Sequence, residues 1–421
     1  MKNSTLKIKN PCSGCSACYA ICPHSAVDIK LNDDGFYEAK INENCSSCGM
    51  CNDVCRMHGT MNTSILTNGE LVAAQSKNQE TIRNSTSGGI AHELTMHALN
   101  KGYSTVGVVY DSSENIAKAI SAHDAKTADL FRGSKYLQAK TDEAYRAVLS
   151  RAIEQTKTRV IIFGTPCHIY GLACVAEKMK VREQFLLVDF YCHGVPSYLV
   201  WNSYLKRIFK DKKTAGTTVT SCTFRGKENG WHNSYLMHIQ GKRKQLAQQL
   251  PHAHSEGSFE YKKSAESDLF YNAYFDNVLL SPACFNCDLR MHSSKADIKL
   301  GDYWGKQYKN RDDGVSAVLL LSERGKSFFR ELDSIEIFSS HTNEEVKDFH
   351  PSKYYETKKY YNDAVTMLRD TGDLKKTVRY YRRRFTAGQR IKLSIKRSTA
   401  LLPVPLRVFF KRLYKKVFKE G

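Results

Sequence analysis

Eight of the fourteen cysteines lie within the first 55 residues and repeat one spacing. Both runs read C-x2-C-x2-C-x3-C, and they comprise Cys12, Cys15, Cys18, Cys22 and Cys45, Cys48, Cys51, Cys55. Thiolates at this spacing lie on tight turns and can share one metal core, and in two-cluster ferredoxins the fourth cysteine of each run binds the other cluster. The repeat therefore predicts a domain that holds two [4Fe-4S] clusters.

The crosswise rule assigns two ligand sets, which are Cys12, Cys15, Cys18 and Cys55, and Cys45, Cys48, Cys51 and Cys22. Pro23 follows the first run, as the ferredoxin pattern expects, whereas Arg56 follows the second. Proline shapes the turn and binds no metal, so this departure leaves the ligand sets intact. The alternative is a pair of structural zinc sites, which usually take two separated C-x2-C pairs.

The other six cysteines are Cys167, Cys174, Cys192, Cys222, Cys284 and Cys287. Cys284 and Cys287 form a C-x2-C pair, while Cys167 and Cys192 each follow an apolar, strand-like run. If these loops face one crevice, the four thiolates can hold a third [4Fe-4S] cluster. The alternative is that Cys167 and Cys192 are small buried side chains, or that one of them is a redox thiol. The remaining two cysteines are expected in the core.

An α/β pattern extends from about residue 70 to residue 335 and would position the later cysteines. Residues 160–164 predict a strand, followed by a helix to about residue 180. Residues 185–190 predict a second strand, followed by a helix from about residue 197 to residue 209. Both intervening loops then lie at the carboxyl ends of parallel strands, where α/β sheets bind ligands.

The chain divides into three predicted parts. Residues 1–60 form an α+β ferredoxin-like domain, which includes a hairpin over residues 26–41. Residues 70–345 form the α/β domain, and the polar stretch at 59–69 is a linker. Residues 346–421 are expected to form a basic, partly amphipathic helical tail.

A serine and glycine loop could bind an anion. Ser87, Gly88 and Gly89 precede a predicted helix, so their backbone N–H groups and the positive end of the helix dipole converge. The alternative is that Ser87 only caps the helix and the glycines only form a turn. His168 and His193 follow two of the later cysteines, and an acid/base role competes there with simple hydrogen bonding to the backbone.

The net charge of +20 is concentrated at the C-terminal end, because the stretch from Lys375 onward holds 16 of the 63 basic residues and one acid. No apolar run of 18 residues and no apolar N-terminal stretch occurs, so we expect a cytoplasmic protein with reduced thiols. The basic aromatic stretch and the amphipathic segment 406–419 could lie on the anionic inner face of a membrane, dock an acidic partner, or form a solvated helix. Nucleic acid is not favoured as the partner.

Taken in order, these motifs resemble the iron-sulfur flavoproteins related to the beta subunit of coenzyme F-420 hydrogenase/dehydrogenase. The matching stretches are the doubled cysteine runs and residues 85–89, 133–138, 163–172, 188–197, 224–227 and 284–305. The resemblance covers about residues 10–330. His168 stands where the family often has glutamine, and Gly226 stands where it often has aspartate.

This resemblance implies a flavin-binding α/β domain that holds FAD beside a [4Fe-4S] cluster. The residues that it places along the flavin site are Ser87, Gly88, Gly89, Lys135, Gln138, Arg225 and Asp302. It implies an oxidoreductase that passes electrons between [4Fe-4S] clusters and FAD to act on an organic substrate, in a type associated with surface-polysaccharide biosynthesis. The alternative is an electron-transfer subunit that relays electrons to a partner enzyme. Both readings imply a redox protein as electron donor or acceptor.

Overall fold

The computed structural model describes residues 10–58, 69–210, 216–243, 257–290, 294–308, 310–341 and 355–400. The first of these ranges holds the predicted hairpin, in which β1 (Val27–Leu31) pairs antiparallel with β2 (Tyr37–Ile41). Two short helices, α1 (Ala17–Ile21) and α2 (Met50–Val54), flank it. The hairpin prediction is confirmed, while most of the predicted linker lies outside the described residues.

A nine-stranded mixed sheet forms the centre of the molecule. Its strands are β3 (Glu70–Ser76), β4 (Ser104–Asp111), β5 (Ile116–Ala122), β6 (Ala139–Lys140), β7 (Val160–Phe163), β8 (Phe185–Phe190), β12 (Ile298–Asp302), β13 (Ser316–Leu320) and β14 (Ile335–His341). The strand order is β14-β3-β13-β12-β8-β7-β4-β5-β6. The central strands β12, β8, β7 and β4 are parallel, and β13, β3 and β14 extend one edge with antiparallel pairing.

Helices cover both faces of this sheet. They are α3 (Gln79–Asn84), α4 (Ile90–Asn100), α5 (Ala125–Asp129), α6 (Asp142–Glu154), α7 (Pro166–Lys178), α8 (Tyr198–Ile208), α9 (Leu269–Phe275), α10 (Pro282–Phe285) and α11 (Glu323–Arg330). Ile161 packs with residues of α4 and α11, whereas its neighbour Ile162 packs with α6 and α7. Because successive side chains of a strand point to opposite faces, β7 is buried on both sides and reads as a continuous apolar run.

The predicted strand-loop-helix units of the α/β domain are confirmed. β7 runs into α7 and β8 runs into α8, and the two strands are parallel neighbours. A separate antiparallel sheet of β9 (Thr217–Thr223), β10 (Leu236–Arg243) and β11 (Ser258–Ser264) lies between α8 and α9 in the chain. Its neighbours are aromatic, since Phe224, Phe270 and Trp201 pack together beside it.

The C-terminal part contains α12 (Tyr361–Thr371), α13 (Leu374–Arg383) and α14 (Ala387–Ala400). Both α12 and α13 pack against α8, and α13 also packs against α9. Tyr381 of α13 is buried, and Arg382 forms an ion pair with Asp276 at the end of α9, with Nε and Oδ2 2.6 Å apart. The prediction of a tail from residue 346 is therefore wrong for residues 355–385. The basic side chains lie on an amphipathic helix whose apolar face completes the core.

Among the described residues, no helix has the length and apolar character needed to cross a membrane. The amphipathic segment 406–419 lies outside the described residues.

Candidate metal centre

The backbone of the two N-terminal cysteine runs repeats as the sequence does. Gly14 and Ser47, each two residues after the first cysteine of its run, both have positive φ, at 65° and 62°. Ser16 and Gly49, each four residues after it, also have positive φ, at 62° and 80°. The two runs therefore fold into loops with the same alternation, and each ends in a short helix.

The eight N-terminal cysteines fall into two groups that match the crosswise prediction. Cys18 feels the neighbouring thiols of Cys12, Cys15 and Cys55, and burial together with these neighbours raises its pKa. The other group, Cys22, Cys45, Cys48 and Cys51, lines a cavity of about 310 Å³ beside the hairpin. Each group therefore draws its fourth cysteine from the opposite run, as in two-cluster ferredoxins.

The later cysteines meet at a second cavity, where the ferredoxin-type domain faces the α/β domain. Cys167, Cys192, Cys284 and Cys287 line one crevice of about 550 Å³. Cys167 lies in the first turn of α7, Cys192 follows β8, and the C-x2-C pair spans α10 and the turn after it. Because β7 and β8 are parallel neighbours, their carboxyl ends bring the first two thiols together.

Burial controls the protonation of these thiols in the metal-free chain. It raises the pKa of Cys192 to about 11 and that of Cys284 to about 12. Neighbouring thiols add to the effect at both positions. Because a metal-bound thiol is deprotonated outright, cluster binding at this crevice would release protons.

The spacing of the donors distinguishes a cluster from a single ion. Within the part of the chain that the structure describes, no three His, Cys, Asp or Glu side chains are arranged to hold one metal ion. A structural zinc ion needs four ligands about 2.3 Å or less from one centre. Each cysteine of a [4Fe-4S] cluster bonds to a different iron, so its ligands stand further apart. The donor sets therefore fit clusters better than zinc.

Two buried guanidinium groups also line the crevice. Arg56 comes directly after Cys55, and Arg290 donates a hydrogen bond from Nη2 to the carbonyl of Cys284 at 2.5 Å. The Arg290 guanidinium carbon also lies 4.2 Å from the centre of the Tyr355 ring. A [4Fe-4S]²⁺ core with four thiolates carries a charge of about 2−, because metal-bound thiols lose their protons. Two cations in the wall fit such a charge.

The two histidines next to the crevice cysteines differ in their surroundings. His168 is buried in α7, faces the backbone of Gly14, and burial lowers its pKa to about 4. The His193 Nε2 atom lies 2.6 Å from Oδ1 of Asn277, and burial lowers its pKa to about 4 as well. Both imidazoles are therefore neutral at pH 7. An acid/base role for either one stays a prediction.

The predicted anion loop leads directly into α4. Gly89 has φ of 88° and precedes the first residue of α4, while a Cβ at Gly88 would lie 2.7 Å from the carbonyl oxygen of Ala74. Ser87 Oγ donates to the Val315 carbonyl at 2.9 Å. The glycines thus allow the loop to pack closely on the sheet edge formed by β3 and β13.

Two lysines bracket this loop without a carboxylate hydrogen bond. Lys227 donates from Nζ to the carbonyls of Ser87 and Asp313, at 2.9 and 2.7 Å. Lys135 donates to three carbonyls at the end of α5, and its neighbour Ser134 bonds Thr86. Burial lowers the pKa of Lys135 to about 7 and that of Lys227 to about 8. Desolvated cations of this kind fit an anionic ligand such as a pyrophosphate.

Arg225 and Asp302 form a buried ion pair next to Lys227. Arg225 Nη1 lies 2.6 Å from Asp302 Oδ2, and the guanidinium carbon lies 4.6 Å from the Tyr235 ring centre. Trp231 donates from Nε1 to the other oxygen of Asp302 at 2.8 Å. The structure therefore gathers Ser87, Gly88, Lys227, Arg225 and Asp302 in one region.

Gln138 is used elsewhere. Its Oε1 accepts from the Tyr37 backbone N–H at 2.7 Å, and its Nε2 donates to the carbonyls of Ser13 and Tyr37, both at 3.1 Å. These bonds attach the hairpin and the first cysteine loop to the α/β domain. Gln138 lines the metal crevice, so its place in a flavin site stays a prediction with a competing structural role.

Sequence reasoning missed three side chains of this region. Lys227 belongs to a quoted motif, yet its contact with the anion loop depends on a turn far away in the chain. Arg56 and Arg290 carry no local signal beyond their position next to cysteines. Cys174 and Cys222, expected in the core, are half-buried and pack at its margin.

Comparisons with known proteins match two parts of the chain. Residues 157–345 match the family described as the C terminus of the coenzyme F-420 hydrogenase/dehydrogenase beta subunit. Residues 11–60 match the 4Fe-4S dicluster domain.

A curated relative is the F subunit of F(420)H(2) dehydrogenase from Methanosarcina mazei. It is 27% identical over 187 residues, which are 42% of this chain and 51% of that protein. This chain thus spans about half the length of that relative. A chain in a structure of the F-420-reducing NiFe hydrogenase complex from Methanosarcina barkeri has a TM-score of 0.43 and 14% identity, and the match covers 77% of this chain and 95% of that chain.

Proposed function

Because this chain belongs to the family of coenzyme F-420 hydrogenase/dehydrogenase beta subunits, we propose that it is an iron-sulfur flavoprotein that transfers electrons between a redox partner protein and FAD. Two clusters would be held by the N-terminal cysteines in the crosswise sets. A third would be held by Cys167, Cys192, Cys284 and Cys287. Iron-sulfur clusters exchange one electron at a time and flavin exchanges one or two, so together they supply the conversion between these two kinds of chemistry.

The observation that carries this proposal is the position of the crevice. Its wall includes Ser13 and Arg56, which are sequence neighbours of cysteines of the first N-terminal set, as well as the four later cysteines. A Cβ at Gly171 of α7 would lie only 2.8 Å from the Cys15 sulfur, so the ferredoxin-type loop and α7 are in direct contact. Two donor sets are thus adjacent across the boundary between the domains, as short-range electron transfer requires.

The flavin part of the proposal rests on a different observation. Lys135 and Lys227 are desolvated cations whose ammonium groups hydrogen-bond only to backbone carbonyls among the described contacts. They lie on either side of the loop that begins α4, where a helix N-terminus favours negative charge. A flavin pyrophosphate has the charge that this region would accept. Bound there, FAD would supply hydride chemistry toward an organic substrate.

The second candidate function is an electron-transfer subunit that has no substrate of its own. The relative from Methanosarcina mazei is named as a subunit of a dehydrogenase, which favours an assembly with a partner enzyme. Turnover of an organic acceptor by the isolated chain would favour an enzyme with its own substrate. Under this proposal a role in surface-polysaccharide biosynthesis belongs only to that enzymatic reading.

We include in the proposal a cytoplasmic location with peripheral contact to anionic lipid. Residues 401–421 hold six basic residues and one acidic residue, interspersed with Phe409, Phe410 and Phe418. Such a segment combines electrostatic attraction with apolar contact at a membrane surface.

Iron analysis of cysteine variants tests the proposed cluster sites. The chain, reconstituted anaerobically with iron and sulfide, should bind about twelve iron atoms, and a Cys284→Ser/Cys287→Ser variant should bind about eight. A Cys174→Ser/Cys222→Ser variant removes two cysteines outside the crevice and should keep about twelve. Equal iron content in both double variants would remove the crevice cluster from the proposal.

A further inference from the structure

An ion pair connects the ligand loops of two donor sets. Arg56 directly follows Cys55, and its guanidinium contacts the carboxylate of Asp288, which directly follows Cys287. The Arg56 side chain is only 8% exposed, and that of Asp288 is 33% exposed. The pair therefore lies between the first N-terminal donor set and the crevice donor set, one residue from a ligand of each.

Arg56 is positioned by more than this carboxylate. Its guanidinium carbon lies 5.7 Å from the centre of the Tyr170 ring in α7, and Arg56 and Met57 form part of the crevice wall. Its charge also reaches Cys15, another member of the first set, where it favours the thiolate. A planar guanidinium can satisfy a carboxylate and contact an aromatic face at the same time, which an ammonium group does less well.

The sequence gives this position a reason to be special. The ferredoxin pattern has proline after each cysteine run, as Pro23 does after the first run, whereas Arg56 takes this place after the second. Proline would leave Asp288 without its cationic partner beside the crevice cysteines. An uncompensated carboxylate there would add negative charge next to a cluster that is itself negative.

We propose that the Arg56–Asp288 ion pair sets the relative reduction potentials of the two adjacent clusters and holds their ligand loops together. This inference rests on the proposed crevice cluster. The net charge near an iron-sulfur cluster is one of the factors that determine its potential. The cation at Arg56 stabilises the reduced, more negative state of both clusters, and the carboxylate at Asp288 limits that effect at the crevice.

The proposal predicts shifts of opposite sign for the two partners. Arg56→Gln leaves a carboxylate and should lower the cluster potentials, whereas Asp288→Asn leaves a cation and should raise them. We expect each change to alter the ratio of reduced to oxidised cluster at a fixed potential by about tenfold, or about 59 mV for one electron. Arg56→Lys keeps the charge and should shift the potentials least. A role limited to packing would not reverse sign between the two positions.

A matched control exists on the surface. Lys178 of α7 lies 3.0 Å from Asp53 of the ferredoxin-type domain, and these side chains are 51% and 53% exposed. Lys178→Gln also removes one cation between the same two domains, but solvent screens it. This control should leave the potentials within the error of the measurement.

The experiment is an anaerobic redox titration of the reconstituted full chain, followed by electron paramagnetic resonance, with iron measured on the same samples. Opposite shifts in Arg56→Gln and Asp288→Asn support the inference. Shifts of the same sign, or no shift in Asp288→Asn, overturn it while about twelve iron atoms remain bound. About eight iron atoms in the unchanged protein would instead overturn the crevice cluster itself.

Discussion

Lys227 and Lys135 are cations that lack a carboxylate partner in their hydrogen bonds, and this makes anion binding sensitive to pH. Burial lowers their pKa values to about 8 and about 7, so each loses its proton as the pH rises through those values. A bound pyrophosphate would favour the protonated amines. We therefore predict that FAD affinity of the metal-loaded chain falls about tenfold or more between pH 6.5 and pH 9, because two cations are lost.

Variants isolate the contribution of one amine to this effect. Lys227→Gln should weaken FAD binding at pH 6.5 and flatten the pH profile, while Lys262→Gln, which removes an exposed lysine paired with Glu228, should do neither. Fluorescence titration of FAD measures both. A steep profile retained in Lys227→Gln would contradict the assignment. Without ligand, both lysines favour unfolding at low pH, because the unfolded chain binds more protons, so stability should rise from pH 7 toward pH 10.

Which residues could be found from the sequence depended on how local their signal is. The crosswise cysteine sets and the convergence of Cys167 and Cys192 follow from spacing and from the rule for parallel strands. The bond between Arg56 and Asp288 joins positions 232 residues apart and leaves no local trace. Gln138 was expected at a flavin, but its amide hydrogen-bonds the hairpin, a partner that only the folded chain reveals.

At the level of elements, α7 connects the two adjacent donor sets. Cys167 lies in its first turn, and Gly171 one turn later faces the Cys15 sulfur, where a Cβ would stand 2.8 Å away. We predict that Gly171→Ala lowers the iron content of the reconstituted chain by up to about four atoms, because a ligated Cys15 cannot move aside. The metal-free protein should change little, since alanine favours a helix by about 1 kcal/mol relative to glycine.

A second glycine provides the control. Gly388 lies in α14, and no atom lies within 4 Å of the position that a Cβ would take there, so Gly388→Ala should gain helix propensity without a steric conflict. Iron content and thermal unfolding of both variants, with and without metal, make the comparison. A Gly171→Ala protein that binds the full complement of iron would show that α7 does not constrain the first cysteine loop.

The predictable elements were those with strong periodicity or rigid spacing. β7, α7, β8 and α8 were identified because buried parallel strands are continuous apolar runs followed by short loops. The antiparallel additions β13, β3 and β14 were not, because pairing between strands distant in sequence is a tertiary property. The tail prediction failed for α13 because its many basic residues hid the apolar stripe that contacts α8 and α9.

At the scale of the whole molecule, the basic residues divide between a packed part and residues 401–421. Removing the chain from Lys375 onward would delete α13 and expose the core around Tyr381. A 1–400 variant is therefore the appropriate truncation. We predict that the full chain sediments with vesicles containing anionic lipid at low salt and that the 1–400 variant does not. Equal sedimentation of both forms would remove the membrane contact.

The central claim is that one chain joins single-electron and two-electron carriers. Anaerobic titration of the reconstituted protein with dithionite measures the number of electrons that each chain accepts. Three clusters that each take one electron and one flavin that takes two predict about five electron equivalents, with bleaching of the flavin band. Uptake of about two equivalents, without a flavin signal, would contradict the account and leave only a two-cluster ferredoxin-type domain.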